Sequence, residues 1–183
     1  MTLYHGSPTG GLTQLTPFIS EHEKPYVYFS SNPVVAMLYS VKPVPKPFSF
    51  YPYGFDKNGT VVYSEYYKNV FEDIYGGKAG YLYECDDIEN AENPTSINCA
   101  YTVSRDVDIS RVTEIKDCYT WFMEQEKQGL FRIKPFEDIS ENEIRIVTES
   151  FDNYIHKYDL KNHPDNEMSI FIRTNFPHIW DVK

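Results

Sequence analysis

The sequence contains no long hydrophobic run and no excess of basic residues. No apolar stretch approaches the ~20 residues that a membrane-spanning helix needs, and residues Met1 to Gly6 lack the basic and apolar segments of a signal peptide. Lys and Arg number 17 against 27 Asp and Glu, which gives a formal net charge of −10. Because binding to nucleic-acid phosphates or to an anionic membrane needs surplus Lys and Arg, this balance argues against both kinds of partner.

Cysteine is scarce, and the motifs of several nucleotide-binding and hydrolytic folds are missing. Cys85, Cys99 and Cys118 are odd in number and widely spaced, without a Cys-x-x-Cys or a Cys/His pair at metal-ligand spacing. We therefore expect no disulfide framework, no metal and a reducing, cytoplasmic location. The sequence also lacks a P-loop, a dinucleotide-binding Gly-x-Gly-x-x-Gly and the Gly-x-Ser-x-Gly of hydrolases.

What the sequence does contain is apolar and aromatic material sufficient for a core. The chain has 183 residues, 41% of them hydrophobic, and 16 are tyrosine. This length predicts one domain, which we place at residues 1–150, with residues 151–183 as a C-terminal extension packed on it. Tyrosine is common in cores and in binding surfaces, so its abundance alone does not indicate a function.

Local patterns predict an α+β chain, because strands and helices do not alternate regularly. Strands are predicted from Leu3 to His5-Gly6-Ser7 and at Tyr26–Phe29, Tyr81–Cys85, Ala100–Val103, Phe131–Ile133 and Ile144–Val147. Helices are predicted from Val34 to about Val41, within Val61–Tyr75 and at Asp117–Gln128. The proline-rich segment Lys42–Pro52 is predicted to be a loop or extended chain.

Four short motifs follow one another in a fixed order. His5-Gly6-Ser7 closes the first predicted strand, Tyr28-Phe29-Ser30 closes the second, Tyr39 lies eleven positions after Tyr28, and Asn142-Glu143-Ile144 opens the last predicted strand. In this order they resemble the signature of the ADP-ribosyltransferase fold, in the branch of the poly(ADP-ribose) polymerases and diphtheria toxin. The resemblance covers about residues 3–147. It implies split antiparallel β-sheets with flanking helices.

The resemblance implies an enzyme that cleaves the nicotinamide–ribose bond of NAD⁺ and transfers ADP-ribose to an acceptor, which we expect to be a protein. NAD⁺ is then a substrate, and no metal takes part. Positive charge develops on the ribose as nicotinamide leaves, so a nearby carboxylate stabilises the transition state and can polarise the incoming nucleophile. The resemblance assigns this role to Glu143, which by itself could equally be a solvated residue at the start of a strand.

The remaining motif residues are implied to bind NAD⁺. Tyr28 and Tyr39 would sandwich the nicotinamide ring, because aromatic faces suit a flat, electron-poor ring. Gly6 would let the backbone approach the carboxamide, which a Cβ would obstruct. His5 would donate a hydrogen bond to a ribose hydroxyl, and Ser7 completes the first motif.

Departures from the family pattern leave alternatives open. Ala36 occupies the position, three before Tyr39, where polymerase-type members usually carry a carboxamide-binding Ser, so Ser30 or Ser31 would have to replace that contact. This departure is compatible with a catalytically inactive NAD⁺- or partner-binding module of the same fold. A nucleic-acid-directed ADP-ribosyltransferase or an RNA 2′-phosphotransferase would need a basic groove, against which the net charge argues.

Glu141 adds a possibility of its own. Glu141-Asn142-Glu143 is similar to the Glu-x-Glu of arginine-modifying toxins, in which the first Glu orients the acceptor guanidinium. The resemblance therefore makes Glu141 a candidate for positioning the acceptor, although the early Arg and the Ser-Thr-Ser strand of that class are absent. Otherwise, this acidic stretch is an ordinary polar turn.

Overall fold

A computed structural model describes residues 1–19, 24–42, 52–93, 95 and 97–181. Their strands are β1 (Leu3–Ser7), β2 (Gln14–Leu15), β3 (Phe18–Ile19), β4 (Pro25–Ser30), β5 (Tyr53–Phe55), β6 (Val61–Ser64), β7 (Gly80–Cys85), β8 (Ala100–Val103), β9 (Val107–Asp108), β10 (Arg111–Ile115) and β11 (Phe131–Lys134). Their α-helices are α1 (Pro33–Leu38), α2 (Val70–Tyr75), α3 (Cys118–Lys127), α4 (Glu141–Lys157), α5 (Glu167–Asn175) and α6 (Pro177–Trp180). The predicted α+β class is confirmed.

The chain divides into two compact units. Unit 1 comprises Met1–Lys42 and Tyr75–Phe131, and unit 2 comprises Pro43–Ile74 and Arg132–Lys183. The boundary predicted at residue 150 falls inside helix α4, and the assignment of residues 1–150 to one functional domain stays a prediction. Within the described residues, no helix combines the length and the apolar character required to cross a membrane.

Unit 1 is built on an antiparallel sheet with the strand order β10-β7-β1-β4-β3, in which β8 also pairs with β4. Strand β1 pairs with β7 along its whole length, from Leu3 opposite Cys85 to Ser7 opposite Tyr81. On its other side, β1 pairs with β4 at one position over the described residues of both strands, Tyr4 opposite Ser30. The two strands therefore part after this pair, and the sheet is split between them.

One hydrophobic core cluster of unit 1 covers one face of this sheet. Alternate residues of the strands enter it, because successive side chains of a strand point to opposite faces. Its buried members are Leu3, Leu15, Val27, Phe29, Cys85, Ile88, Val103 and Val107. Helix α1 packs against β1 at Gly6. Gly6 and Leu3 lie on opposite faces of the sheet, so α1 packs on the face opposite to this cluster.

Helix α1 begins where the sequence predicts it. The Asn32 side chain caps its N-terminus by accepting from the backbone N–H groups of Val34 and Val35, and Pro33 occupies its first turn. The helix ends at Leu38 with Tyr39 as its C-cap. Gly6 is required for its packing, since an added Cβ would clash with the Ala36 carbonyl oxygen and lie 3.1 Å from the Ser40 nitrogen.

Unit 2 contains a three-stranded sheet, ordered β11-β6-β5, and the helices α4, α5 and α6. Its core draws aromatic and aliphatic side chains mainly from the three helices: Phe151, Ile155, Leu160, Phe171, Ile172, Phe176 and Ile179.

One predicted strand is wrong, and one predicted helix is confirmed in part. Ile144–Val147 is not a strand, because it lies in α4, which Ser140 opens with a capping box to Glu143. The helix predicted within Val61–Tyr75 is confirmed at Val70–Tyr75, whereas Val61–Ser64 is a strand with Val61 and Tyr63 buried.

Other predicted elements are confirmed within about three residues at each end. They are the strands at β1, β4, β7, β8 and β11 and the helices α1 and α3, the latter ending before Gly129 as predicted. Most of the predicted Lys42–Pro52 loop lies outside the described residues.

Candidate functional site

The split between β1 and β4 is bridged by a histidine side chain. His5 Nδ1 lies 2.7 Å from the carbonyl oxygen of Tyr28. Because a carbonyl oxygen can only accept, Nδ1 carries the proton and donates. The Tyr28 carbonyl therefore accepts from the His5 side chain and not from a backbone N–H of β1. This hydrogen bond brings the first two motifs together.

The environment of His5 fixes its charge state. Burial lowers the pKa of His5, and this effect exceeds the opposing effect of the hydrogen bond to Tyr28. The ring is consequently neutral near pH 7, with its proton on Nδ1, which leaves Nε2 as an acceptor. We predicted that His5 would donate to a ribose hydroxyl, whereas this tautomer can only accept from one.

The two motif serines hold turns. Ser7 Oγ accepts from the Thr9 N–H at 3.1 Å, and Ser30 Oγ accepts from the Asn32 N–H at 3.0 Å. Both side chains are buried, 7% and 4% exposed. Ser7 therefore stabilises the turn that follows β1, and Ser30 stabilises the turn that precedes α1. Each serine hydroxyl accepts a hydrogen bond here and can still donate its own proton.

Tyr28 and Tyr39 differ in accessibility from the tyrosines of the core. Tyr39 is 40% exposed and Tyr28 is half-buried, whereas Tyr63 and Tyr83 are 2% and 0% exposed. The Tyr28 ring lies 5.6 Å from that of Phe18 and 6.2 Å from that of Tyr26, measured between centroids. Partial exposure of both rings is what stacking on a ligand requires.

Ala36 lies where α1 comes closest to β1. It is 3% exposed, and its carbonyl oxygen faces Gly6. The backbone N–H of Ser31, one of the two serines expected to replace the missing contact, donates to the Cys99 carbonyl at 2.9 Å. Gly6 therefore has a packing role in addition to the predicted ligand role.

Glu143 is in unit 2, on the first turn of α4. Its carboxylate accepts from Lys134 Nζ at 2.8 and 3.0 Å, from Ser140 Oγ at 2.6 Å and from the Ser140 N–H at 2.9 Å. These bonds, with Lys134 first, lower the pKa of Glu143 to about 2. The prediction that Glu143 opens a strand is wrong, and its contacts are those of a helix cap that is also an ion-pair partner.

Glu141 is the first residue of α4, and its side chain is exposed. It stands with Glu143 in unit 2, whereas His5, Gly6, Ser7, Tyr28, Ser30 and Tyr39 all stand in unit 1. Among the described parts of the chain, no three His, Cys, Asp or Glu side chains are placed to hold a metal ion.

Comparison of the chain with family models, with curated proteins and with solved structures finds no match. The likeness to ADP-ribosyltransferases therefore depends on the motifs themselves.

Proposed function

We propose that unit 1 binds NAD⁺ where β1 and β4 part, and that the protein is an NAD⁺-dependent mono-ADP-ribosyltransferase. The observation that supports this proposal most is the position of the split. The two strands separate beyond the pair formed by Tyr4 and Ser30. The separated part of β1 contains the motif residues His5 and Gly6, and the separated part of β4 contains Tyr28. A split sheet with these residues at its edges is the arrangement that the family resemblance implies.

In the proposed complex, the nicotinamide ring stacks on Tyr28 and Tyr39. Its carboxamide bonds the backbone of β1 near Gly6, and a ribose hydroxyl donates to Nε2 of His5. The C–N bond between ribose and nicotinamide then breaks, and its electron pair stays on the nicotinamide nitrogen. A nucleophile of the acceptor, which we expect to be a protein, forms the new bond to the ribose carbon and loses its proton.

The contacts of Glu143 favour a second candidate function, an NAD⁺-binding module that does not transfer. A carboxylate with a pKa of about 2 is a poor proton acceptor, since general-base catalysis is most efficient when the pKa lies near the working pH. If no other acid serves the ribose, the site would bind NAD⁺ without cleaving it.

Calorimetry and a nicotinamide-release assay separate these functions. We expect wild-type protein to bind NAD⁺, and we expect Tyr28→Ala and Tyr39→Ala each to weaken binding about fivefold or more, because an aromatic stacking contact is worth about 1–3 kcal/mol. Tyr158→Ala is the control, since Tyr158 is an exposed tyrosine of unit 2.

The outcomes are distinct. Binding with release of nicotinamide supports the transferase, and binding without release supports the module. Absence of NAD⁺ binding to the wild-type protein would contradict both, as would equal affinities in Tyr28→Ala and the control. Labelled NAD⁺ incubated with candidate acceptor proteins then reports transfer.

A further inference from the structure

A row of three residues crosses from β4 through β8 to the segment before it. Tyr28 is opposite Thr102 in the antiparallel pairing of β4 with β8. Thr102 is opposite Glu92 on its other side: the Thr102 N–H donates to the Glu92 carbonyl at 2.8 Å, and the Glu92 N–H donates to the Thr102 carbonyl at 3.0 Å. Side chains of directly opposed residues lie on the same face of a sheet, so those of Tyr28, Thr102 and Glu92 share one face.

This face is opposite to the one that carries Leu3, Val27 and Phe29, and it is the face on which α1 packs at Gly6. Val27 and Phe29, the neighbours of Tyr28 in sequence, point into the core, as does Val103 beside Thr102. Tyr28 is half-buried, Thr102 is buried, and the Glu92 side chain is exposed. The row therefore ends in an accessible carboxyl group on the face that carries the proposed nicotinamide-stacking ring.

The hydrogen-bond pattern sets the spacing of the row. Thr102 exchanges both backbone bonds with Glu92, so the pair formed by Thr102 and Tyr28 is the non-hydrogen-bonded kind. The Tyr28 carbonyl accordingly points away from β8, where His5 Nδ1 bonds it. Opposed Cα atoms lie about 5.5 Å apart in a hydrogen-bonded pair such as Thr102 and Glu92, and about 4.5 Å apart in a non-hydrogen-bonded pair such as Thr102 and Tyr28. The Cα atoms of Tyr28 and Glu92 are therefore about 10 Å apart.

We infer that Glu92 supplies the carboxylate that faces the ribose of NAD⁺, the role that the sequence motif assigned to Glu143; this inference rests on the function proposed above. The nicotinamide ring and its ribose would lie along this row, between the half-buried Tyr28 ring and the exposed Glu92 carboxylate, whose Cα atoms are about 10 Å apart. As the C–N bond breaks, the carboxylate stabilises the positive ribose carbon and takes the proton of the acceptor nucleophile.

Glu84, another acid of this sheet, makes a poorer candidate for this role. Glu84, on β7, is opposite Tyr4 of β1, and its carboxylate is held by Arg111 of β10. Glu92 makes no ion pair with any described residue. A charge that is not already neutralised acts more strongly on a developing positive charge.

The test compares Glu92→Gln with wild-type protein and with Glu89→Gln, a matched control because Glu89 is an exposed acid three positions earlier. NAD⁺ affinity is measured by calorimetry, and nicotinamide release is measured without an acceptor protein, so that water forms the new bond to the ribose carbon and gives up its proton. We expect Glu92→Gln to bind NAD⁺ within about threefold of wild type and to release nicotinamide about 100-fold more slowly, the scale of losing one electrostatic contact to a transition state. Glu89→Gln should match wild type in both.

The outcomes separate this inference from the function on which it rests. If wild-type protein does not bind NAD⁺, or binds it without releasing nicotinamide, the transferase fails and the role of Glu92 fails with it. If wild-type protein and Glu92→Gln release nicotinamide at the same rate, the transferase stands and the assignment of Glu92 is overturned. Loss of release in Glu143→Gln while Glu92→Gln stays active would return the role to Glu143. Glu92→Asp, which keeps the charge, should recover part of the rate.

Discussion

Replacing Gly6 by alanine tests the packing that holds β1 against α1. The added Cβ would clash with the Ala36 carbonyl oxygen, lie 2.8 Å from its carbonyl carbon and lie 3.1 Å from the Ser40 nitrogen. All three are backbone atoms, so no side chain can rotate away, and helix and strand must separate. Overpacking a well-ordered core costs about 1–3 kcal/mol, and backbone neighbours place this substitution at the upper end, about 3 kcal/mol.

Urea unfolding monitored by circular dichroism measures this cost. With a slope of about 2 kcal/mol per molar, a loss of about 3 kcal/mol lowers the midpoint by about 1.5 M. Gly54→Ala is the control, because a Cβ there meets nothing within 4 Å and its φ is not in the left-handed region. If Gly6→Ala unfolds within 0.3 M of wild type, α1 does not lie against β1 as described, and the proposed site loses its geometry.

Two further predictions concern titratable groups. Glu143→Gln should destabilise the protein by about 1 kcal/mol at pH 7, a figure reduced for the partial exposure of the ion pair with Lys134. The pKa of Glu143 is lowered to about 2, so its contribution is complete above pH 4.5 and is lost as pH falls towards 2; melting temperatures of the two proteins that stay apart at pH 2 would contradict this. Because burial lowers the pKa of His5, protonation favours the unfolded chain, so stability is complete above pH 6.5 and falls below it. His5→Asn, whose amide can still donate to Tyr28, should remove that part of the acid loss, and an unchanged pH profile of the melting temperature would refute it.

The elements that the sequence predicts well carry strong local signals. Asn32-Pro33 opens α1 and Asp117 opens α3 with capping side chains, and Gly129 follows the end of α3. These signals act within one helical turn, so they can be seen without the fold. The eleven-residue spacing that singles out Tyr28 and Tyr39 is of the same kind, because both belong to one strand–helix segment.

The errors occurred where a short pattern fits two periods. Ile144, Ile146 and Val147 alternate with a polar residue as in a strand, yet Ile144, Val147 and Phe151 also follow helical spacing. Ser140 and Glu143 form the capping box that decides between them, and that signal was present in the sequence.

Residues placed by pairing could not be predicted. Strand β2 has two residues and forms only against β9, far along the chain. Glu92 is placed on the same sheet face as Tyr28 through its bridge to Thr102, and nothing near it in sequence marks it as functional. The neutral tautomer of His5 likewise follows from its bond to Tyr28 across the split.

Unit 1 is formed by two separate segments of the chain, and this has a consequence for its folding. Strand β1 pairs along its whole length with β7, so during synthesis it cannot complete this ladder until Gly80–Cys85 has been made, and the intervening chain includes the first segment of unit 2. Closing so long a loop costs entropy before any contact offsets it, which predicts slow folding for a chain of this size. Until β1 pairs with β7, the edge of β1 stays unpaired. Unpaired strand edges favour aggregation, so we expect the chain to be prone to aggregate before this pairing forms.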